Sequence, residues 1–152
     1  MQVKDIMVTN IISVKEDMPA PRVAALIAQH HIHAIPVMST SYDLVGIIAE
    51  GDFFYKETAS LSVANYISTK KQSGLREFFG GKKESNVEEL TAKDMMTSPT
   101  VTVNQEADVL DAAKMFVEKG INTLPVISDG GTLVGVITSH DILKVLVEGK
   151  IQ

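Results

Sequence analysis

The chain has 152 residues, 45% of them apolar, a formal net charge of −5 and no cysteine. That length suits one domain able to bury a sizeable core, and the missing thiols exclude a disulfide framework, a thiolate metal site and a cysteine nucleophile and fit a reducing compartment. Lys and Arg are scattered, paired only at Lys70–Lys71 and Lys82–Lys83, which gives no basic face for nucleic acid.

The opening stretch, MQVKDIMVTNIISVKED, carries charges where a signal peptide needs an apolar core. No run approaches the roughly 18 apolar residues of a membrane span, so the sequence reads as cytoplasmic and without membrane contact. A short β-rich run, IISV, comes first. A helix follows: Ala20, Val23, Ala24, Ile27 and Ala28 recur at helical spacing, and Pro19 and Pro21 fit only a first turn. Two apolar strands, AIPVM and LVGIIA, flank the turn-like STSYD, and a second helix opens at Asp52. Residues 59–91 have no counterpart elsewhere in the chain. LSVANYISTKKQ and LREFF suggest short amphipathic helices and GGKKESN a loop. This reads as an insertion packed outside the core, with docking of an effector protein as the alternative.

The same order then recurs. Displaced by 89 positions, Lys4–Phe54 lies on Lys93–Leu143 without a gap, and 14 of 51 paired residues are identical, among them Pro36/Pro125, Val37/Val126, Gly46/Gly135 and Asp52/Asp141. The second unit has TVTV, a helix with Asp108 as N-cap and Gly120 as C-cap, the strands LPVI and LVGVIT, and a helix opening at Asp141. His31 holds the place of Gly120 in the first unit. One unit of about 50 residues is small for an independent core. Strands apolar on both faces need cover on both sides. The reading is therefore an α/β fold: two β-α-β-β-α repeats, 1–58 and 92–152, packed about a pseudo-twofold axis as one module. Met7 and Met96 are expected as apolar anchors where the chain enters each unit.

Two catalytic or metal readings fail. Ser139, His140 and Asp141 are triad residue types, but consecutive side chains diverge, and a triad needs groups brought together by the fold. The HHIH run places His30, His31 and His33 without a nearby carboxylate or cysteine ligand in sequence. It reads as a solvated helix end, favoured by the helix dipole, and no metal is expected.

KDMMT, GINTLPV and LVGVITSHDIL in this order, with the twin set KDIMVT, HIHAIPV and LVGIIAEGDFF, resemble a CBS domain pair, or Bateman module. The resemblance covers nearly the whole chain except the insertion. It implies a sensor without catalysis and without a required cofactor, taking adenosine-containing ligands in clefts between the units: AMP, ADP, ATP or S-adenosylmethionine. It also implies a disc-like homodimer, for which the apolar second helices, with ILKVLV near the C-terminus, supply a surface.

The residues support that chemistry on their own. Thr138 ends a strand and Asp141 starts a helix, and the turn between them aims backbone N–H groups at a cleft. A helix N-terminus suits phosphate, and a carboxylate accepts both hydroxyls of a ribose. The expected ligand site is thus Thr138, Ser139, His140 and Asp141, and the resemblance adds Asn122 and Thr123 beside them. Pro125, Val136, Thr100 and Val101 are expected around the base. A weaker site is expected at Asp52 and Gly51 with His33, Pro36, Ile11 and Ile12, because Ala34 and Ala49 replace Thr123 and Thr138. The alternative reading is a structural dimerisation module with degenerate clefts.

Overall fold

The computed structural model describes residues 1–55 and 90–150; the two amphipathic stretches and the loop of the insertion lie outside the described residues. The first repeat contains β1 (Val14–Lys15), α1 (Ala20–His30), β2 (Ala34–Met38), β3 (Leu44–Ala49) and α2 (Asp52–Tyr55). The second contains α3 (Ala92–Met95), β4 (Val103–Asn104), α4 (Val109–Lys119), β5 (Thr123–Ile127), β6 (Leu133–Thr138) and α5 (Ser139–Val147). Each repeat has a three-stranded sheet, β1-β2-β3 or β4-β5-β6, with the first pair parallel and the second antiparallel. The registers repeat as well: Val37 faces Gly46 and Val126 faces Gly135, while Ala34 faces Ala49 and Thr123 faces Thr138. The expected pair of β-α-β-β-α units is the observed architecture.

Local chemistry explains the helix ends. Pro19 is the N-cap of α1 and Pro21 lies in its first turn, where its missing N–H breaks no helical bond. Asp108 caps α4 by accepting from the Leu110 N–H at 2.8 Å. Gly120 closes α4 with φ +63°, and His31 closes α1 with φ +52°. The buried stripes are the twin positions Ala20, Val23, Ile27 and Val109, Ala112, Phe116. They cover two separate cores, one around Ile35, Val37 and Ile48, the other around Leu124, Val126 and Ile137.

What joins the repeats is an exchange of lead-in segments. A short 3-10 turn, Val3–Asp5, precedes the first repeat but sits on the second. Val3 is fully buried in the second core and donates to Ala107 O at 2.9 Å, and Val109 donates to Met1 O at 3.0 Å. Val8 and Val136 exchange backbone hydrogen bonds of 2.8 and 2.9 Å, so the lead-in adds an antiparallel bridge to β6. Reciprocally, Ala92 and Met95 belong to the first core, Ala92 donates to Met18 O, and Thr97 pairs with Ile47 at the edge of β3. An exposed Lys4–Glu106 ion pair of 2.7 Å accompanies the exchange, and such exposed pairs contribute little.

The expected methionine anchors acquire a specific partner. Met7 lies on Gly135, where an added Cβ would come within 2.6 Å of its Sδ and 3.0 Å of Val8 O. Met96 lies on Gly46, where a Cβ would come within 2.7 Å of its Cγ. Each methionine belongs to the lead-in of one repeat, and each glycine to the sheet of the other. The identical Gly46/Gly135 and Met7/Met96 pairs are therefore two halves of one contact.

One sequence expectation is corrected. The last helix opens at Ser139, not at Asp141, with Thr138 as N-cap. Ser139 is the first helical residue rather than a turn residue, because Asp141 caps back onto Thr138 from the third helical position. Among the described residues no helix is long and apolar enough to cross a membrane.

Gly135→Ala and Gly46→Ala are each expected to lower unfolding stability in urea by about 1–3 kcal/mol, the usual cost of overpacking. An alanine variant at either position as stable as the parent would show that the methionines do not rest on these glycines.

Candidate functional site

The exchange decides which residues meet. Between the repeats lies a cleft of about 240 Å³. From the first repeat it takes Val8, Asn10, Ile11, Ile12, His31, Ile32, His33, Ala34 and Pro36; from the second it takes Thr123, Val136, Thr138 and His140. The wall is mainly aliphatic, and the polar groups gather at Asn10, Thr123, Thr138 and the three imidazoles. Such a lining holds a flat apolar body and orients it by a few polar contacts.

This regroups the sequence-derived site. Ile11, Ile12, His33 and Pro36 were expected beside Asp52, yet they line the cleft with Thr138, Val136 and His140. Thr100, Val101, Asn122 and Pro125 were expected beside Asp141 and are not among that lining. The cause is the Val8–Val136 bridge: the chain leaving it, Asn10–Ile12, is delivered to the end of β6 rather than to its own sheet. The Thr97–Ile47 bridge starts Thr100 and Val101 from the edge of β3 in the same way. Thr100 keeps a buried hydroxyl with no hydrogen-bond partner among the described residues. Asn122 is exposed, and its Oδ1 accepts from the Thr123 hydroxyl at 3.1 Å. The sequence reading missed Val8, Asn10, His31, Ile32 and Ala34 as wall residues.

Thr138 and Asp141 form a closed local network. Asp141 Oδ2 accepts from the Thr138 N–H at 2.8 Å and from its hydroxyl at 2.8 Å. The Thr138 hydroxyl in turn accepts from the Asp141 N–H at 3.2 Å. This is a capping box that satisfies two of the helix's orphan donors. The Ser139 N–H is also used, donating to Asn122 O at 3.0 Å. Thr138 lines the cleft; Asp141, half-buried, is not among the lining residues, and its Oδ1 makes no hydrogen bond among the described residues.

The spacing itself is common in this chain. Asp5 accepts from Gln2 N–H at 2.8 Å, Asp94 from Thr91 N–H at 2.9 Å, and Asp52 from Ala49 N–H at 2.9 Å. An aspartate three residues after the N-cap is thus a repeated capping device at Asp5, Asp94 and Asp141. Asp52 makes the same backward bond although its helix opens at Asp52 itself, and Thr138 is set apart by its cleft. At the twin position, Ala49 offers no hydroxyl to Asp52, and Gly51 replaces His140. Across the other strand end, Glu50 Oε1 and His33 Nδ1 are 3.0 Å apart, both well exposed.

Residues 3–57 and 92–148 both match the family described as CBS domain. An uncharacterised protein of Methanocaldococcus jannaschii is 31% identical, over 97% of this chain and 92% of its own length. One from Methanopyrus kandleri is 30% identical over 83% of this chain, the match spanning 53% of that relative. Among solved structures, CBSX2 in complex with AMP superposes with TM-score 0.72 at 20% identity, covering 98% of both chains. The CBS domain pair of a second protein, solved with 5′-methylthioadenosine and S-adenosyl-L-methionine, gives 0.71 at 22% identity, covering 99% of this chain and 98% of that one. These likenesses establish the fold.

Because Thr138 and Asp141 share their hydrogen bonds, Thr138→Val and Asp141→Ala are each expected to cost about 1 kcal/mol of stability. The double variant should fall short of the sum by more than about 0.5 kcal/mol, as residues in one network do. Simple additivity in a double-mutant cycle would show that the network carries no stability.

Proposed function

This chain belongs to the CBS domain family, as a tandem pair, and from that premise we propose that it is a regulatory sensor without catalysis. Its ligand is an adenosine-containing compound held in the cleft between the repeats. The observation that carries the reading is the meeting of Thr138, at the mouth of α5, with the aliphatic wall of Ile11, Ile12, Pro36 and Val136. The base lies against that wall. The ribose diol is taken by the Thr138–Asp141 pair, with Asp141 Oδ1 as the acceptor still available, since Oδ2 is already engaged. The attached charged group faces the first turn of α5 and the imidazoles. The neighbours solved with AMP and with S-adenosyl-L-methionine support an adenosyl ligand class.

By the repeat symmetry we propose a weaker site at Asp52 and Gly51, with Thr100, Val101, Asn122 and Pro125 as the counterparts of Ile11, Ile12, His33 and Pro36, because Ala49 lacks the hydroxyl. The protein acts in the cytoplasm, and ligand binding changes the relative angle of the repeats, which an effector protein reads. A thermal-shift panel of AMP, ADP, ATP, S-adenosylmethionine and NAD tests the reading. A ligand at a hundred times its dissociation constant adds roughly 2.7 kcal/mol, and Asp141→Ala should weaken it ten- to a thousandfold, as loss of one or two charge-assisted hydrogen bonds does. A panel with no shift for any compound would leave only a structural module with degenerate clefts.

The second helices also leave apolar surface uncovered within one chain: Phe54 is 62% exposed, Leu143 56% and Val147 88%. We propose that this face joins two copies as a homodimer. Light scattering at micromolar concentration should give twice the chain mass, and Leu143→Lys with Val147→Lys should return the monomer. A parent protein already monomeric under those conditions contradicts the dimer.

A further inference from the structure

The twin helices α1 and α4 bury matching stripes, but their outward rows carry different chemistry. Opposite its buried stripe, each helix presents two edges at i, i+7 spacing, with one residue midway between them. On α4 one edge is Leu110 and Val117, 46% and 83% exposed; the other is Asp111 and Glu118, and Lys114 stands at the centre. On α1 the same places hold Pro21 and Ala28, Arg22 and Gln29, and Ala25. Among the described residues nothing covers either row: Pro21 is half-buried and the rest are exposed. α4 packs against α5, whose Leu143 and Val147 are also uncovered.

We propose, resting on the homodimer reading above, that each α1 packs on α4 of the second copy, so that the first repeat of one chain lies on the second repeat of the other. When two such helices pack antiparallel, the first turn of one meets the last turn of the other, apolar edge on apolar edge and polar edge on polar edge. A contact of α4 with its own copy about a twofold axis would set Asp111 against the partner's Glu118 twice. It would also set Lys114 against the partner's Lys114, and like charges in such contact repel. The exposed 3.6 Å Lys114–Asp111 pair within α4 offsets little of this. Pairing α1 with the partner's α4 removes each conflict. Arg22 meets the partner's Glu118, and Gln29 meets the partner's Asp111. The small Ala25 leaves room for the stem of the partner's Lys114. Along the other edge, Ala28 meets the partner's Leu110 and Pro21 the partner's Val117, small residues against large ones. The twofold axis makes the same set of contacts a second time.

The chain has no cysteine, so introduced thiols report this contact without background. Ala25→Cys and Lys114→Cys, made in the full chain, stand at exposed positions at the two helix centres. Under mild oxidation each variant alone should stay unlinked, while an equilibrated mixture of the two should give a disulfide-linked pair with one chain of each kind. Self-linking of Lys114→Cys alone, or a mixture that links no better than the single variants, overturns the pairing and leaves the homodimer standing. Charge reversal gives a second readout. Arg22→Glu and Glu118→Arg each alter both contacts of the dimer. Each should weaken dimerisation roughly tenfold in sedimentation equilibrium, and the two together should restore it. A Glu118→Arg chain that dimerises more tightly than the parent, as α4 packed on its own copy requires, overturns the inference. A parent chain that is monomeric at micromolar concentration overturns the homodimer reading itself, and this inference with it.

Discussion

The structure depends on one close approach made twice: a methionine of one repeat's lead-in lying on a glycine of the other repeat's sheet. No side chain fits between Met7 and Gly135 or between Met96 and Gly46. With that space open, Val8 reaches β6 and Thr97 reaches β3, and each bridge adds a strand-like edge to a sheet of only three strands. The exchange also fills the cores, since Val3 completes one and Ala92 and Met95 complete the other. Two units too small to bury their strands alone become one module because each lends its first residues to its twin.

The same exchange builds the cleft. A site at the end of β6 would be a bare capping turn if the lead-in did not cross over, because Thr138 and Asp141 mostly satisfy each other. The crossing supplies the aliphatic wall, and with it a cleft of a size that a small molecule can enter. Duplication then leaves the two strand ends unequal. Thr123, Thr138 and His140 stand on the second repeat where Ala34, Ala49 and Gly51 stand on the first, so the scaffold is symmetric and its chemistry is not.

Most of the fold was legible in the residues. The 89-position repeat located every matching strand and the twin helices α1 and α4, and Asp108, Gly120 and the paired prolines marked the ends of those helices. The start of α5 was placed two residues late, because an aspartate at the third helical position bonds backwards and resembles an N-cap in sequence. Much of the cleft's lining was legible too: eight of its thirteen residues, Ile11, Ile12, His33, Pro36, Thr123, Val136, Thr138 and His140, were singled out in the sequence. Their grouping was not. Spacing along the chain assigns a residue to its own repeat, and only the backbone bridges show that the lead-ins cross. The one sequence signal for the crossing was the identity of Gly46/Gly135 together with Met7/Met96, whose meaning is steric and needs the partner in view.

The central claim is that the ligand wall at Thr138 is built by the opposite repeat's lead-in. Methyl NMR of the isoleucine- and valine-labelled chain, titrated with 5′-methylthioadenosine, tests it most directly. The account predicts that Ile11, Ile12, Ile32 and Val136 shift together along one binding curve at the lowest concentrations. Saturation that moves Val101 with Val136 and leaves Ile11 and Ile12 unmoved would contradict it.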